Sequence, residues 1–337
     1  MKSLRPLLAF TLVVATLPAQ VATVGAVPTV GLSSPPPPST LPSETHLALP
    51  PGALSEAHQA LDQVFHAHTD AAVAIARRLQ NQFPDQPIGY LLEAEADWWA
   101  LYCQACSIRY NLIDAWSRPK LKQDDAYFAL ADRAINLAES QLARQESAPM
   151  HVFAGMGYGL VARLRGLRDE RVSVARAGVK AREHFRRALA MDPQLGDALT
   201  GVGLYNYLAD VLSGFAKMLR FFMGIPGGNK KEGIQQLETA MNTAELTSVE
   251  ARFYLARNLR NFDQQYERAA QLLEPLVTQY PDNPVFQLLL GDMYAKLNRK
   301  DSAAIHFRAA QQIHISDTAC AARVQDLASQ ALAAIAR

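Results

Sequence analysis

Pro281–Ile315 reads PDNPVFQLLLGDMYAKLNRKDSAAIHFRAAQQIHI. Its apolar and small residues recur three and four positions apart, which is the spacing of one helical face. Leu290, Gly291 and Tyr294 share a face in a first helix. Ala303, Phe307 and Ala310 share one in a second, with Ile315 just after it. Moving back 34 positions from this second set lands on Ala269, Leu273, Leu276 and Pro281. A period of 34 residues built from two helices is the signature of a helical repeat array.

The same text returns elsewhere. Ala181, Phe185, Ala188 and Pro193 form a second copy, followed by Val202 and Gly203. Gly233, Leu237, Ala240 and Glu245 form a third, and Ala72, Leu79 and Pro84 a fourth. The reason for the pattern is steric. Small residues let two antiparallel helices approach, bulky ones fill the gap between neighbouring pairs, and the proline ends one helix and sets the turn into the next. From Ser55 onward no stretch alternates apolar and polar residues, so the chain reads as about a dozen helices.

With these residues the chain resembles the tetratricopeptide repeat superfamily, strongly over about residues 180–313 and more weakly over 55–180. The resemblance implies an all-α solenoid of antiparallel helix pairs that binds protein or peptide and performs no chemistry. Asp317–Arg337 is an alanine-rich helix with Arg323 and Asp326 outward and reads as a terminal cap. Pro275 falls inside a second helix and is expected to kink it.

Pro193 to Glu245 spans 52 positions, 18 beyond one period, which exposes an insert at about residues 210–229. Within it Leu212, Phe215, Leu219, Phe222 and Met223 share one helical face, opposite Ser213, Lys217 and Arg220. The apolar face needs a partner surface: the groove of the same chain, a second protein or a lipid interface. Packing against its own solenoid costs no association entropy and is the expected arrangement. Asn229 is a good N-cap for the helix that follows.

The amino terminus reads as an address. Lys2 and Arg5 precede the apolar run Leu7–Leu17, which is too short to span a bilayer, and small residues allow cleavage after Ala19 or Ala26. Residues 27–52 hold eight of the 19 prolines and read as an extended linker, or as an exported terminus with no role, so the repeat domain is expected over 53–337. No cysteine stands near the cleavage zone to take a lipid anchor and no later stretch is a spanning helix, so an exported protein, periplasmic or secreted, is expected. Lys plus Arg is 33 against 32 Asp plus Glu, a formal charge of +1. That balance excludes a protein built mainly to grip a nucleic-acid backbone.

Candidate chemistry is sparse. Cys103 and Cys106 form a C-x-x-C that in an exported protein could be a redox pair, but they lie inside a helix beside Trp98 and Trp99, so buried thiols or one structural bridge are expected. Trp98, Trp99 and Trp116 read as core between longer helices, with a ligand cleft as the alternative. Glu93 and Asp97 are one turn apart and read as a solvated face. His66 and His68 cannot share a helical face, no metal site is expected, and nothing calls for a cofactor.

A partner would lie along the concave groove lined by the first helix of each pair. That face carries Thr200, Tyr207, Tyr254, Asn258, Asn261, Asp292 and Lys296. Some family members clamp a partner's terminal carboxylate there with Lys and Asn. Asn258 occupies the Asn position, and Tyr254 stands where the Lys would be. The expected function is an exported protein- or peptide-binding scaffold in cell-envelope assembly. The alternatives are a membrane-surface adaptor using the insert and a thiol-redox protein using Cys103 and Cys106.

Overall fold

The computed structural model describes residues 46–105, 108–109, 112–113, 120–211 and 224–337. Among them are thirteen α-helices. The first half comprises α1 (Ala53–Phe65), α2 (Thr69–Gln82), α3 (Ile88–Ala105), α4 (Gln123–Leu142), α5 (Ala148–Leu167), α6 (Arg171–Met191) and α7 (Gly196–Asp210). The second comprises α8 (Lys230–Thr243), α9 (Ser248–Asn258), α10 (Tyr266–Gln279), α11 (Pro284–Lys296), α12 (Lys300–Gln312) and α13 (Thr318–Ile335). A single π turn, Leu259–Asp263, separates α9 from α10. Between α3 and α4, Ile108–Arg109 pairs antiparallel with Leu112–Ile113. Each helix packs on the next, so the architecture is an all-α solenoid of consecutive helix pairs.

The repeat residues do what their sizes dictate. Ala269, Leu290, Gly291, Ala303, Phe307 and Ala310 are buried, as are Ala181, Phe185, Ala188 and Gly203. A methyl group placed on Gly291 would stand 2.8 Å from the Phe307 ring, and one on Gly203 3.0 Å from the Gly233 carbonyl oxygen. Pro193 and Pro281 sit in the exposed turns between α6 and α7 and between α10 and α11. Tyr294 is half-buried, and its hydroxyl donates to Glu274 at 2.7 Å. The helix α10 runs through Pro275.

Several turns are closed by long-range caps. Asn283, the N-cap of α11, accepts from the amides of Val285 and Phe286, and its own amide donates to the Phe65 carbonyl at 2.8 Å. Asp197 on α7 accepts from the backbone amides of Glu245, Leu246 and Thr247 and from the Thr247 hydroxyl, which serves the start of α9. Burial raises the Asp197 carboxyl above its usual range against the pull of these donors.

The first and third helices pack against the later pairs. Phe65 at the end of α1 and Trp99 on α3 form an aromatic cluster with Phe253, Tyr280 and Phe286, with ring centres 4.8–5.7 Å apart across the Trp99 contacts to Phe65, Phe253 and Phe286. Trp98 and Trp99 are both buried, as a core reading requires. Packing begins before the helical text, since Leu47 is fully buried and the His46 amide donates to Glu245.

Two sequence readings change, and the two neighbouring histidines gain a setting. Cys103 does not pair with its near neighbour. It is bonded to Cys320 at the start of α13, with the two Cα atoms 5.3 Å apart, because the C-terminal helix lies against α3. Cys103 is therefore not half of a C-x-x-C redox pair. Glu93 is not on a solvated face. It is buried and accepts from Arg77 at 2.9 Å and Gln80 at 2.6 Å. Burial and the Glu93 charge lift the neighbouring Asp97 to about 6. His66 and His68 lie past the end of α1 rather than on a helix, and both approach Asp282, at 2.5 and 3.6 Å.

Candidate functional site

Five helices enclose a cavity of about 280 Å³. Each contributes one stripe at helical spacing. From α3 come Leu91, Glu95, Trp98 and Tyr102; from α5, Met156, Gly159, Leu160 and Arg163; from α6, Val174, Gly178, Ala181 and Arg182. From α7 come Thr200, Gly201, Leu204, Tyr205 and Leu208, and from α9 Glu250, Tyr254, Arg257 and Asn258. The walls are predominantly apolar, with charges grouped at a few points.

At its base Arg163 bridges two acids. One guanidinium nitrogen reaches Glu95 at 2.8 Å and the other Glu250 at 2.6 Å, and all three side chains are largely buried. Burial pushes Glu250 up to about 8 against the pull of Arg163, and contact with Glu95 adds to the rise. One proton is thus retained between two carboxyls and a single fixed cation at neutral pH, which avoids an uncompensated buried charge. The Arg163 guanidinium also stands 5.1 Å from the centre of the Tyr254 ring, and the Tyr254 hydroxyl accepts from the Trp98 indole at 3.0 Å.

Asn258 is the last residue of α9, immediately before the π turn, a local widening often found at functional sites. It is 1% exposed, and neither its amide oxygen nor its amide nitrogen has a hydrogen-bond partner among the described residues. Leaving such a group unpaired costs about 1–3 kcal/mol. Gly159 and Gly178 add to the picture. A methyl group at either would meet nothing within 4 Å. Glycine inside a helix costs roughly 0.5–1 kcal/mol relative to alanine, and at these two positions no neighbour demands it.

Of the residues expected along the groove, Thr200, Tyr254 and Asn258 line this cavity together. The others serve internal contacts. Tyr207 is buried and donates to Asp263 at 2.7 Å, and Asp292 pairs with buried Arg260 at 2.7 Å. Asn261 accepts from Arg260, and Lys296 is half-buried with its ammonium lowered chiefly by burial. Reasoning from sequence missed Glu95, Arg163, Arg182 and Glu250. Their only signal was a charge set among apolar residues at helical spacing. The apolar face of Leu212, Phe215, Leu219, Phe222 and Met223 lies outside the described residues, as do Cys106 and Trp116.

No protein-family model and no curated protein matches the chain. Solved structures similar to it include YrrB, a TPR protein with an unusual peptide-binding site (16% identity over 73% of this chain and 95% of that one, TM-score 0.34). Another is a thermophilic TPR protein of Thermus thermophilus, TTC0263 (12% identity, 81% and 97% covered, TM-score 0.29). A third is the Cut9–Hcn1 hetero-tetramer of the APC/C (14% identity, 80% of this chain, 47% of that one, TM-score 0.35). Its consecutive helix pairs, its 34-residue period and its glycine-to-phenylalanine contacts make the chain an all-α helical repeat protein that resembles tetratricopeptide repeats.

Proposed function

We propose that the protein is an exported, non-enzymatic scaffold that receives a peptide segment of a partner protein in the cavity between α3, α5, α6, α7 and α9, in the service of cell-envelope assembly. The observation that carries this reading is Asn258. A buried amide offering one donor and one acceptor in a plane is complementary to a peptide bond, and it lines an apolar space with no partner among the described residues. Leu208 stands 39% exposed at the same cavity and offers an apolar edge for a segment entering from solvent. A photo-crosslinking amino acid at Leu208 should trap peptide-containing adducts in envelope extract. The same group at Ile305, an exposed apolar residue on α12, should not. Equal labelling at the two positions would refute the site.

Export is supported by two features. The leader-like amino terminus is one. The other is the Cys103–Cys320 bridge, since structural disulfides persist in oxidising compartments. No helix among the described residues is long and apolar enough to cross a membrane. The amino-terminal sequence of the mature protein tests this. It should begin after Ala19 or Ala26, and an intact Met1 in the envelope fraction would contradict the assignment.

A further inference from the structure

Arg182 gives the partner segment a chemical class. It lies on α6 in the stripe Gly178, Ala181, Arg182, Phe185, which faces the cavity. Its guanidinium stands 5.1 Å from the centre of the Tyr205 ring, while its Nε is buried without an acceptor among the described residues. No carboxylate of the described residues lies within ion-pair reach of it. The acids that share the cavity are already committed. Glu95 and Glu250 hold Arg163, and Asp197 takes four donors from the start of α9. A part-buried guanidinium whose Nε has given up water without an acceptor among the described residues is stabilised by an anion that reaches it.

We infer that the bound segment is apolar with an acidic side chain, whose carboxylate pairs with Arg182 while a main-chain amide pairs with Asn258. The inference rests on the peptide-binding reading above. The apolar body of the segment fills the space left open at Gly159 on α5 and at Gly178, one helical turn before Arg182 on α6. Arginine suits this task because its planar fork matches a carboxylate with two parallel hydrogen bonds and stays charged under all working conditions. A fatty-acid-like amphiphile would satisfy Arg182 and the apolar walls. It would leave the Asn258 amide oxygen without a donor, because an ionised carboxylate only accepts, so a peptide satisfies both unpartnered atoms of Asn258 and an amphiphile at most one.

The test uses the full mature chain with its disulfide intact. An array of immobilised twelve-residue peptides with Leu and Phe frames carries Glu, Gln or Lys at the central positions. Glu peptides should be retained about tenfold better than their Gln counterparts, the size expected of one charge-assisted contact. Arg182→Gln should abolish that preference without abolishing retention, and Arg182→Glu should shift it towards Lys peptides. Circular dichroism and thiol counting establish that each variant is folded and bridged. Equal retention of Glu and Gln peptides by the native chain would overturn the acidic class and leave the peptide site standing. Failure to retain any peptide, with dodecanoate bound in an Arg182-dependent way, would overturn both, and the occupant would be an amphiphile.

Discussion

The last two helix pairs and the central layer of this molecule differ in whether their buried polar groups all find partners. Around α10 to α12 most contacts are matters of shape, Gly291 under Phe307 and Ala269, Ala303 and Ala310 where helices touch, and the buried polar groups there, Asn283 and the Arg260–Asp292 pair, have partners within the fold. In the layer formed by α3, α5, α7 and α9, the same helical geometry carries Glu95, Arg163, Glu250, Asp197 and Asn258 in the interior. Shape complementarity stabilises without discriminating among partners. Buried polar groups contribute little net stability, and they discriminate sharply because each demands a specific partner. The contrast separates a region that holds the fold from one equipped to recognise something.

The bridge joins the two regions, and breaking it should have the largest effect. Cys103 and Cys320 are 217 residues apart, and in the chain-entropy account closing a loop of that length contributes about 5 kcal/mol. The Cys103→Ser, Cys320→Ser double variant should lose most of that in a urea titration, while keeping its helical circular dichroism in water. A midpoint unchanged by reduction would show that the two cysteines are not bonded.

Next in size is the central charge cluster. Arg163→Met leaves Glu95 and Glu250 buried together without their shared cation, and removing one member of a buried ionic group costs about 3–5 kcal/mol. Adding Glu95→Leu and Glu250→Leu should recover much of the loss. If Arg163→Met alone proved neutral in chemical denaturation, the cluster would not be buried as described.

A steric substitution probes the regular region. Gly291→Leu drives a side chain into the Phe307 ring, and overpacking of this kind costs about 1–3 kcal/mol. Differential scanning calorimetry should show a lowered midpoint at every pH. Retention of the wild-type midpoint would contradict the close approach of α11 and α12.

The effect that is smallest per pH unit, and that best separates the regions, is pH dependence. Glu250 titrates at about 8 when folded, well above an unfolded carboxyl, so the folded state binds the extra proton. Its contribution to stability is complete below the unfolded value near 4.5 and is lost as pH rises through about 8. Asp97, at about 6, acts in the same direction over a narrower window. One such group changes stability by at most about 1.4 kcal/mol per pH unit. Glu250→Gln, which mimics the protonated acid, should flatten the decline between pH 5 and 8, whereas Gly291→Leu should leave its slope alone. Parallel slopes for Glu250→Gln and wild type would show that Glu250 is ionised throughout.

The two regions also differ in how far they could be read in advance. The repeat residues were legible because size is a property of each residue. Small and bulky residues recurring at fixed places in a 34-residue period imply a close contact wherever the array is placed. Tyr254, Asn258 and Thr200 were legible as members of one face. What that face meets was not, because α1 and α3 return to it from more than 150 residues away, as the contact of Trp98 with Tyr254 shows. Glu93 was misread for the same reason: a carboxylate looks solvated until Arg77 and Gln80 on the preceding helix are seen to cover it.

By itself the sequence determined the all-helical class, the helix pairs, their period and the small-to-large packing between them, because these follow from local periodicity and side-chain volume. Only the tertiary structure decided that Cys103 joins Cys320, that Arg163 holds two acids inside, and that the Asn258 amide and the Arg182 Nε face a shared space without hydrogen-bond partners among the described residues. Such pairings depend on which distant helices become neighbours. The free energy of a buried polar group is set by its surroundings rather than by its own identity.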